Sequence, residues 1–345
     1  MSGEPRVLAV DGGNSKTDLA LLDAGGGLLA VVRGGGSSPH QLGVDGCVEL
    51  LGTLVEHVVA RAGAEPFDPP LAATAHVLLA GADLPEERAA LNREIGRLGW
   101  SDRLVVDTDT VALLRTGTDR GWGVVVVCGH GINCLGVAPD GREARFLSLG
   151  ETSGDWGGGG DVGRAALAAA ARGADGRGPR TALEQAVAAH FGMTGPLDVS
   201  RAIHLGQLSS TRLAELAAVV LALCDEDPVA GGIVRRLADE VIAFARAALS
   251  RLDMTAMDPD VVLGGRLLRA VSPRVVGEIA RGIAELAPDA HVLVSPSEPI
   301  VGAALLGLDV LGADAHAHGR ARAELDAAVD QVGVTLVSPS GLSGS

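Results

Sequence analysis

Residues 6–32 read RVLAVDGGNSKTDLALLDAGGGLLAVV, and residues 122–147 read WGVVVVCGHGINCLGVAPDGREARFL. In the first stretch the apolar run Arg6–Val10 ends in Asp11-Gly12-Gly13. Lys16–Asp23 follows, then the turn Ala24-Gly25-Gly26-Gly27 and the apolar run Leu28–Val32. Runs this short, rich in Leu and Val and joined by glycines, predict consecutive antiparallel strands. In the second stretch Trp122–Cys128 meets the break Gly129-His130-Gly131. Ile132–Ala138, the turn Pro139-Asp140-Gly141 and a strand over Glu143–Leu147 come next. Strand, glycine turn, strand, glycine-containing hairpin, strand therefore occurs twice, about 118 residues apart.

Alternating helices and strands follow each copy. Cys47, Leu51, Leu54, Val55 and Val58 lie on one face of a helix. His76–Ala80 predicts a buried strand, Pro85–Leu98 a helix with Pro in its first turn, Leu104–Val106 a strand, and Asp109–Arg115 the start of another helix. The second half predicts helices around Gly163–Ala171, Arg212–Cys224 and Leu237–Leu252. A strand at Val261–Leu263 runs into Gly264-Gly265, and a strand at His291–Val294 and a small-residue helix at Pro299–Leu311 follow. Such repetition predicts two similar α/β domains, residues 1–118 and 119–312, with a ligand cleft between them. Residues 313–345 read as a helix with a frayed tail.

Composition narrows the function. The chain has 345 residues, of which 47% are hydrophobic, enough for sizeable cores. Lys plus Arg number 28 against 43 Asp plus Glu, so the net charge is −15, which argues against nucleic acid or an anionic membrane as the main partner. Phosphate-bearing ligands remain open, because backbone N–H groups hold phosphate without basic side chains. The four cysteines, Cys47, Cys128, Cys134 and Cys224, form no CxxC pair and suit a reducing compartment. The start of the chain enters a strand rather than a signal-peptide apolar region, and no apolar run is long enough to span a membrane. A cytoplasmic protein is expected.

The two glycine turns are the first candidates for chemistry. At Gly12-Gly13-Asn14-Ser15-Lys16-Thr17 the glycines let the backbone approach a ligand, and turn N–H groups can point at phosphate oxygens. Asp11 at the strand's end would repel phosphate unless a cation bridges them, so it is a candidate for holding Mg²⁺, directly or through waters. An ordinary hairpin with a capping Asp is the alternative. Gly129, His130, Gly131 and Asn133 occupy the matching turn of the second half, and paired turns could grip a polyphosphate from two sides. Cys128, His130 and Cys134 make at most three zinc ligands, so Cys128 and Cys134 read as core thiols. Gly158–Gly163 formally spells GxGxxG, but it does not follow a first strand directly and is not a dinucleotide motif. No GxxxxGK[ST] is present, which excludes a P-loop. The glycine-rich run over 154–163 reads as a flexible lid or pocket loop, whose Asp155 could bond ligand hydroxyls. In Asp107-Thr108-Asp109-Thr110 an Asp where a strand meets a helix is ordinarily an N-cap. Beside two phosphate turns, Asp109 rather than Asp107 becomes the candidate base of a phosphoryl transfer.

As an ordered set, DGGNSKTDLALLD, LAGADLPEE, the Asp109 segment, CGHGINCLGVAPDG, SGDWGGGGDVG and VVLGGRLLRA resemble the N-acetylglucosamine kinase family, also labelled BadF/BadG-type ATPases, within the actin-like sugar kinase and ATPase superfamily. The resemblance runs from about residue 6 to about residue 311. It implies two duplicated ribonuclease-H-like, actin-like domains around a cleft. Gly12 through Thr17 would form the first phosphate turn with Asp11 near the metal, and Gly129, His130, Gly131 and Asn133 the second. Gly264 and Gly265 would lie along the adenosine, and Asp109 would deprotonate the sugar hydroxyl. Ser38 and His40 would contact the N-acetyl side, while Gly81, Asp83 and Asp155 would line the sugar site. The chain departs from the family pattern at His130 in the second turn, at Arg266 after the adenosine glycines, and at Ser38 in the sugar loop.

The expectation is thus an ATP- and Mg²⁺-dependent kinase for an amino sugar, N-acetylglucosamine foremost, acting on its 6-hydroxyl and assembled as a homodimer. Kinases for other hexoses such as glucosamine, an ATP-hydrolysing switch protein and a sugar sensor without catalysis are the competing readings. No basic helix-turn-helix precedes residue 6, as a transcriptional sensor would need.

Overall fold

In the computed structural model, which describes residues 4–63, 69–329 and 331–332, the two glycine-rich stretches seed two sheets with one strand order. The first half runs β1 (Val7–Gly12), β2 (Thr17–Leu22), β3 (Leu28–Gly34), α1 (Pro39–Ala62), β4 (Ala72–Leu79), α2 (Pro85–Gly96), β5 (Ser101–Asp107) and α3 (Asp109–Gly117). The second runs β6 (Gly123–Cys128), β7 (Ile132–Val137), β8 (Glu143–Arg145), α4 (Gly158–Ala174), α5 (Leu183–His190), α6 (Pro196–His204), α7 (Leu216–Leu223), α8 (Pro228–Arg251), β9 (Asp260–Gly264), α9 (Gly265–Ala270), α10 (Pro273–Ala284) and β10 (His291–Val294). Two further helices, α11 (Pro299–Val310) and α12 (Ala315–Val329), follow. The first sheet is ordered β3-β2-β1-β4-β5, and the second, read the same way, β8-β7-β6-β9-β10. In each sheet the first three strands are antiparallel neighbours, and the last two lie parallel to the first. The duplicated α/β architecture predicted from the repeat is present.

By contact, the described residues up to Asp119 form one unit together with those from Pro296 onward, and Arg120–Ser295 form the other. This division differs from the expected boundary at 312, because α11 belongs to the first unit. The reason lies in β1, whose alternate residues face opposite ways. Leu8 and Val10 join the core beneath α1, whereas Val7 and Ala9 join a second core with Ile300, Ala304 and Leu308 of α11. A strand buried on both faces needs a helix on each. The small residues of α11 permit the approach: a Cβ at Gly302 would overlap the Ala112 carbonyl of α3, and one at Gly307 would overlap Val7. On α12, Ala321, Leu325 and Val329 complete that core, and Leu28 N–H donates to Glu324 at 2.7 Å. The expected frayed end over 333–345 lies outside the described residues.

Other boundaries also shift. The 3₁₀ turn Ser210–Glu215 precedes α7, where one continuous helix was expected. The α8 helix begins at Pro228, well before Leu237, because the Asp227 carboxylate caps Val229 and Ala230 at 2.8 and 2.9 Å.

The glycine run over 157–163 is not a lid. Gly158, Gly159 and Gly160 are buried and form the first turn of α4. Gly159 N–H donates to the Gly129 carbonyl at 2.8 Å and Gly160 N–H to the His130 carbonyl at 2.9 Å. The φ of Gly158 is +73°, and a Cβ there would overlap the Gly131 carbonyl. Absence of side chains lets the start of α4 seat directly against the second glycine turn.

Candidate functional site

In the first unit, strand register builds the site. Asp11 lies directly opposite Asp18 of β2, and Asp18 opposite Arg33 of β3. On its other side Asp11 is paired with Leu78 of β4, and Leu78 with Asp107 of β5. Directly paired residues share a face, and Leu78 belongs to the core under α11. Arg33, Asp18, Asp11 and Asp107 therefore form one row across the face that α11 covers.

Within this row the charges are unevenly compensated. Arg33 donates to both Asp18 oxygens, at 2.6 and 2.9 Å. Lys16 Nζ donates to Asp18 at 3.0 Å and to Glu298, the N-cap residue of α11, at 2.8 Å. Among the described residues, none donates a hydrogen bond to the carboxylate of Asp11, which is only 6% exposed. Burial first, then the charge of Asp18, hold its pKa well above the usual carboxylate range, with Lys16 opposing and Asp109 and Glu298 adding to the shift. A buried carboxylate without donors, surrounded by other acids, suits a hard divalent cation that brings its own waters. Mg²⁺ therefore fits Asp11. Among the described residues, no group of three or more His, Cys, Asp or Glu side chains is arranged as a complete metal cage.

The turn over Gly12–Thr17 is closed by Gly13 N–H to the Lys16 carbonyl at 2.8 Å, and Ser37 N–H bonds the Gly13 carbonyl at 3.1 Å. Gly12 is packed so closely that a Cβ would overlap Leu79 and the Ser37 hydroxyl. Asn14 and Ser15 lie toward the turn's outer side, Ser15 exposed. Thr17 is fully buried and its hydroxyl donates to the Gly35 carbonyl at 2.7 Å, so that side chain serves the fold.

The sugar-side candidates of this unit are joined through Glu87. His40 Nε2 and Glu87 Oε1 are 2.8 Å apart, and Glu87 Oε2 accepts from the N–H groups of Asp83 and Leu84 at 3.0 and 2.8 Å. The φ of Gly81 is +87°, and a Cβ there would lie 3.2 Å from Ser38 Oγ and 3.3 Å from the His40 ring. Ser37 and Ser38 are buried, and among the described residues their hydroxyls have no hydrogen-bond partner.

Asp109 is the first residue of α3, and Thr108, just before it, bridges two acids. Thr108 Oγ1 lies 3.2 Å from an oxygen of Asp83 and 3.2 Å from an oxygen of Asp109. One hydroxyl proton serves only one of them at a time. Although Asp109 keeps some exposed surface, burial and then the charge of Asp83 push its pKa up to about 6, against hydrogen bonds from Thr108 and from backbone. Asp107 by contrast accepts from Thr108 N–H at 2.8 Å and faces Arg88 at 3.8 Å. Asp109 thus has the raised proton affinity that suits a base.

In the second unit three glycine segments meet at the end of β6. Gly129, His130 and Gly131 are exposed at the tip, and Gly129 N–H donates to the Gly131 carbonyl at 3.0 Å. Asn133 Oδ1 accepts from Cys134 N–H at 2.6 Å. Gly264 pairs with Val127, and Gly265, with φ +84°, sits where a Cβ would overlap the Cys128 carbonyl. Arg266 is exposed. Cys128 and Cys134 are buried in β6 and β7, and burial pushes the Cys128 thiol up to about 12. Asp155 N–H donates to the Gly150 carbonyl at 3.0 Å, and its carboxylate accepts from the Ser153 hydroxyl. Beside it, the Arg236 guanidinium lies 4.0 Å from the Trp156 ring centroid.

The structure thus groups Asp11, Lys16, Ser38, His40, Gly81, Asp83 and Asp109 in the first unit, and the second turn, Asp155, Gly264 and Gly265 in the other. Sequence reasoning missed Asp18, Arg33, Glu87, Thr108 and Glu298. Hairpin register could have exposed Asp18 and Arg33, and Glu87, three residues after the N-cap Leu84, makes only the glutamate half of a capping box by accepting from the Leu84 N–H. Glu298 lies 282 residues from Lys16 and carries no local signal.

Comparison with known proteins identifies relatives of the whole fold. An N-acetylmuramic acid/N-acetylglucosamine kinase of Clostridium acetobutylicum is 27% identical over 249 residues, covering 72% of this chain and 80% of the relative. An N-acetyl-D-glucosamine kinase of Dictyostelium discoideum is 24% identical over 313 residues, covering 88% and 97%. Among solved structures, a Chromobacterium violaceum protein assigned as an N-acetylglucosamine kinase superposes with a TM-score of 0.69 at 25% identity, covering 88% of this chain and 99% of its own. The BadF/BadG/BcrA/BcrD ATPase family matches residues 8–307, and the chain belongs to that family.

Proposed function

We propose that the chain is an ATP-dependent carbohydrate kinase that transfers the γ-phosphoryl group of ATP to a hydroxyl of an amino sugar, the 6-hydroxyl of N-acetylglucosamine foremost. The observation that carries the reading is Asp109: a carboxylate at the start of α3, with a pKa of about 6, beside a second acid and a bridging hydroxyl. Such a base is deprotonated near neutrality yet holds a proton well once it takes one. The Clostridium and Dictyostelium relatives, both named as kinases of N-acetylated amino sugars, support the substrate class.

In this mechanism the Asp109 carboxylate accepts the proton of the sugar hydroxyl as that oxygen attacks the γ-phosphorus. The bond from the γ-phosphorus to the bridging oxygen breaks, and ADP leaves with the electron pair. Backbone N–H groups of the turn over Gly12–Thr17 donate to phosphate oxygens, and those of His130 and Gly131 are candidates for phosphate in the second unit. Asp11 would hold Mg²⁺, which when bound neutralises charge on the β- and γ-phosphates. Ser38, His40 and Asp83 orient the sugar, Asp155 is a further candidate for sugar hydroxyls, and Gly264 and Gly265 are candidates for the adenosine.

Asp109→Asn tests the assignment, since the amide keeps the shape and removes the base. General-base assistance is worth roughly 10²–10⁴-fold, so kcat should fall at least ~10²-fold while the sugar still binds. A variant that keeps its kcat overturns the role of Asp109.

A further inference from the structure

Glu298 is the N-cap residue of α11, but its side chain does not cap that helix. Its carboxylate accepts from Lys16 Nζ at 2.8 Å, across 282 residues of sequence. The other acceptor of Lys16 is Asp18, itself fixed by two bonds from Arg33. The result is a chain of alternating charge, Arg33, Asp18, Lys16, Glu298, leading from β3 through the first glycine turn to the start of α11. The neighbouring Ser297 hydroxyl donates to Asp326 of α12 at 3.0 Å, which fixes the segment that carries Glu298. The Lys16 side chain remains 35% exposed at the turn.

Lysine has three ammonium hydrogens and a four-carbon stem with substantial rotamer freedom. Two hydrogens are engaged here, by acceptors on separate elements, so the third has a defined direction. A cation held in this way beside a phosphate-binding turn meets its ligand without first losing that freedom. Asp18 is a pleated-sheet partner of Asp11 and is needed for the sheet's charge balance.

We propose that Glu298 is a positioning residue for nucleoside triphosphate binding: it holds the Lys16 ammonium in place to contact the polyphosphate. The proposal rests on the kinase reading only for the identity of that ligand. Glu298 acts on the nucleotide through the geometry of Lys16, because an acid near phosphate is by itself repulsive, and its charge also adds to the raised proton affinity of Asp11. It therefore affects nucleotide binding and leaves sugar binding and the proton transfer alone.

The test compares Glu298→Ala, Glu298→Gln, Lys16→Met and the double variant Glu298→Ala with Lys16→Met. The readouts are MgATP and MgADP binding by calorimetry, and the steady-state KM values for ATP and sugar. Freeing one rotamer-rich side chain corresponds to roughly a three- to tenfold weaker affinity, so Glu298→Ala should weaken MgATP by that factor with sugar KM unchanged. Glu298→Gln should recover most of the loss, because its amide oxygen still accepts from Lys16. In the Lys16→Met background, Glu298→Ala should have no further effect. Nucleotide binding in Glu298→Ala equal to or tighter than wild type overturns the proposal, and so does an undiminished effect in the Lys16→Met background. If those results come with sugar-dependent turnover by the wild-type chain, the proposal fails while the kinase reading stands. A wild-type chain that binds no nucleotide overturns both.

Discussion

The carboxylate pair Asp83 and Asp109 gives a prediction whose sign follows from the structure. Only the ionised form of Asp109 accepts a proton, and its pKa is held at about 6. Turnover should therefore be lost as pH falls through about 6, with roughly a tenth of the plateau kcat/KM left one unit below the midpoint. Burial is the largest cause of the shift, and the charge of Asp83 is the next. Asp83→Asn removes that charge while keeping an oxygen for the Thr108 hydroxyl, so the acid limb should move to lower pH. Thr108→Val acts the other way: it deletes a hydrogen bond that favours the charged form of Asp109, and the limb should move to higher pH. The assay is sugar-dependent ADP release in wild type and the two variants across pH 5–8 in buffers of constant ionic strength. Limbs that coincide, or that shift in the same direction in both variants, would refute the electrostatic account of Asp109.

Two further predictions concern stability. Gly163 lies inside α4 with an ordinary helical φ, so helix propensity alone would make Gly163→Ala stabilising by about 1 kcal/mol; a Cβ there would overlap the Leu213 carbonyl, and overpacking of that kind costs about 1–3 kcal/mol. The steric effect should win and lower the denaturant midpoint, and an unchanged or higher midpoint would refute the packing argument. His76, buried in β4 with both ring nitrogens unpartnered, has its pKa pushed down to about 4 by burial, below the ~6.5 of an unfolded chain. The unfolded state takes up the proton first, so stability is full above about pH 6.5 and declines toward about pH 4. His76→Leu should flatten that part of the stability profile, and a slope equal to wild type would refute it.

The strands and glycine turns were legible because their signals are local: short apolar runs, broken by glycines, repeated in order. Asp109 was visible as an acid where a strand passes into a helix, but that local signal by itself reads as an N-cap, and only its place just before the second repeat made it a candidate base. The glycines at 158–160 misled, since a glycine run ordinarily signals a loop, and here it marks a helix start pressed against the backbone of another turn. Gly302 and Gly307 gave α11 the composition of a generic small-residue helix, and the partners they admit, Ala112 of α3 and Val7 of β1, lie far earlier in the sequence. Asp18 and Glu298 escaped for a related reason. Their role depends on strand register and on which sheet face a distant helix covers, and neither is written in the neighbouring residues.

Phosphoryl transfer to an amino sugar can be tested most directly by ADP release with ATP and Mg²⁺. The acceptors would be N-acetylglucosamine, glucosamine, N-acetylmannosamine, glucose and no sugar. The account predicts release that depends strongly on an amino sugar, N-acetylglucosamine above the others. Equal ADP release with and without sugar would contradict it and leave an ATP-hydrolysing switch in its place.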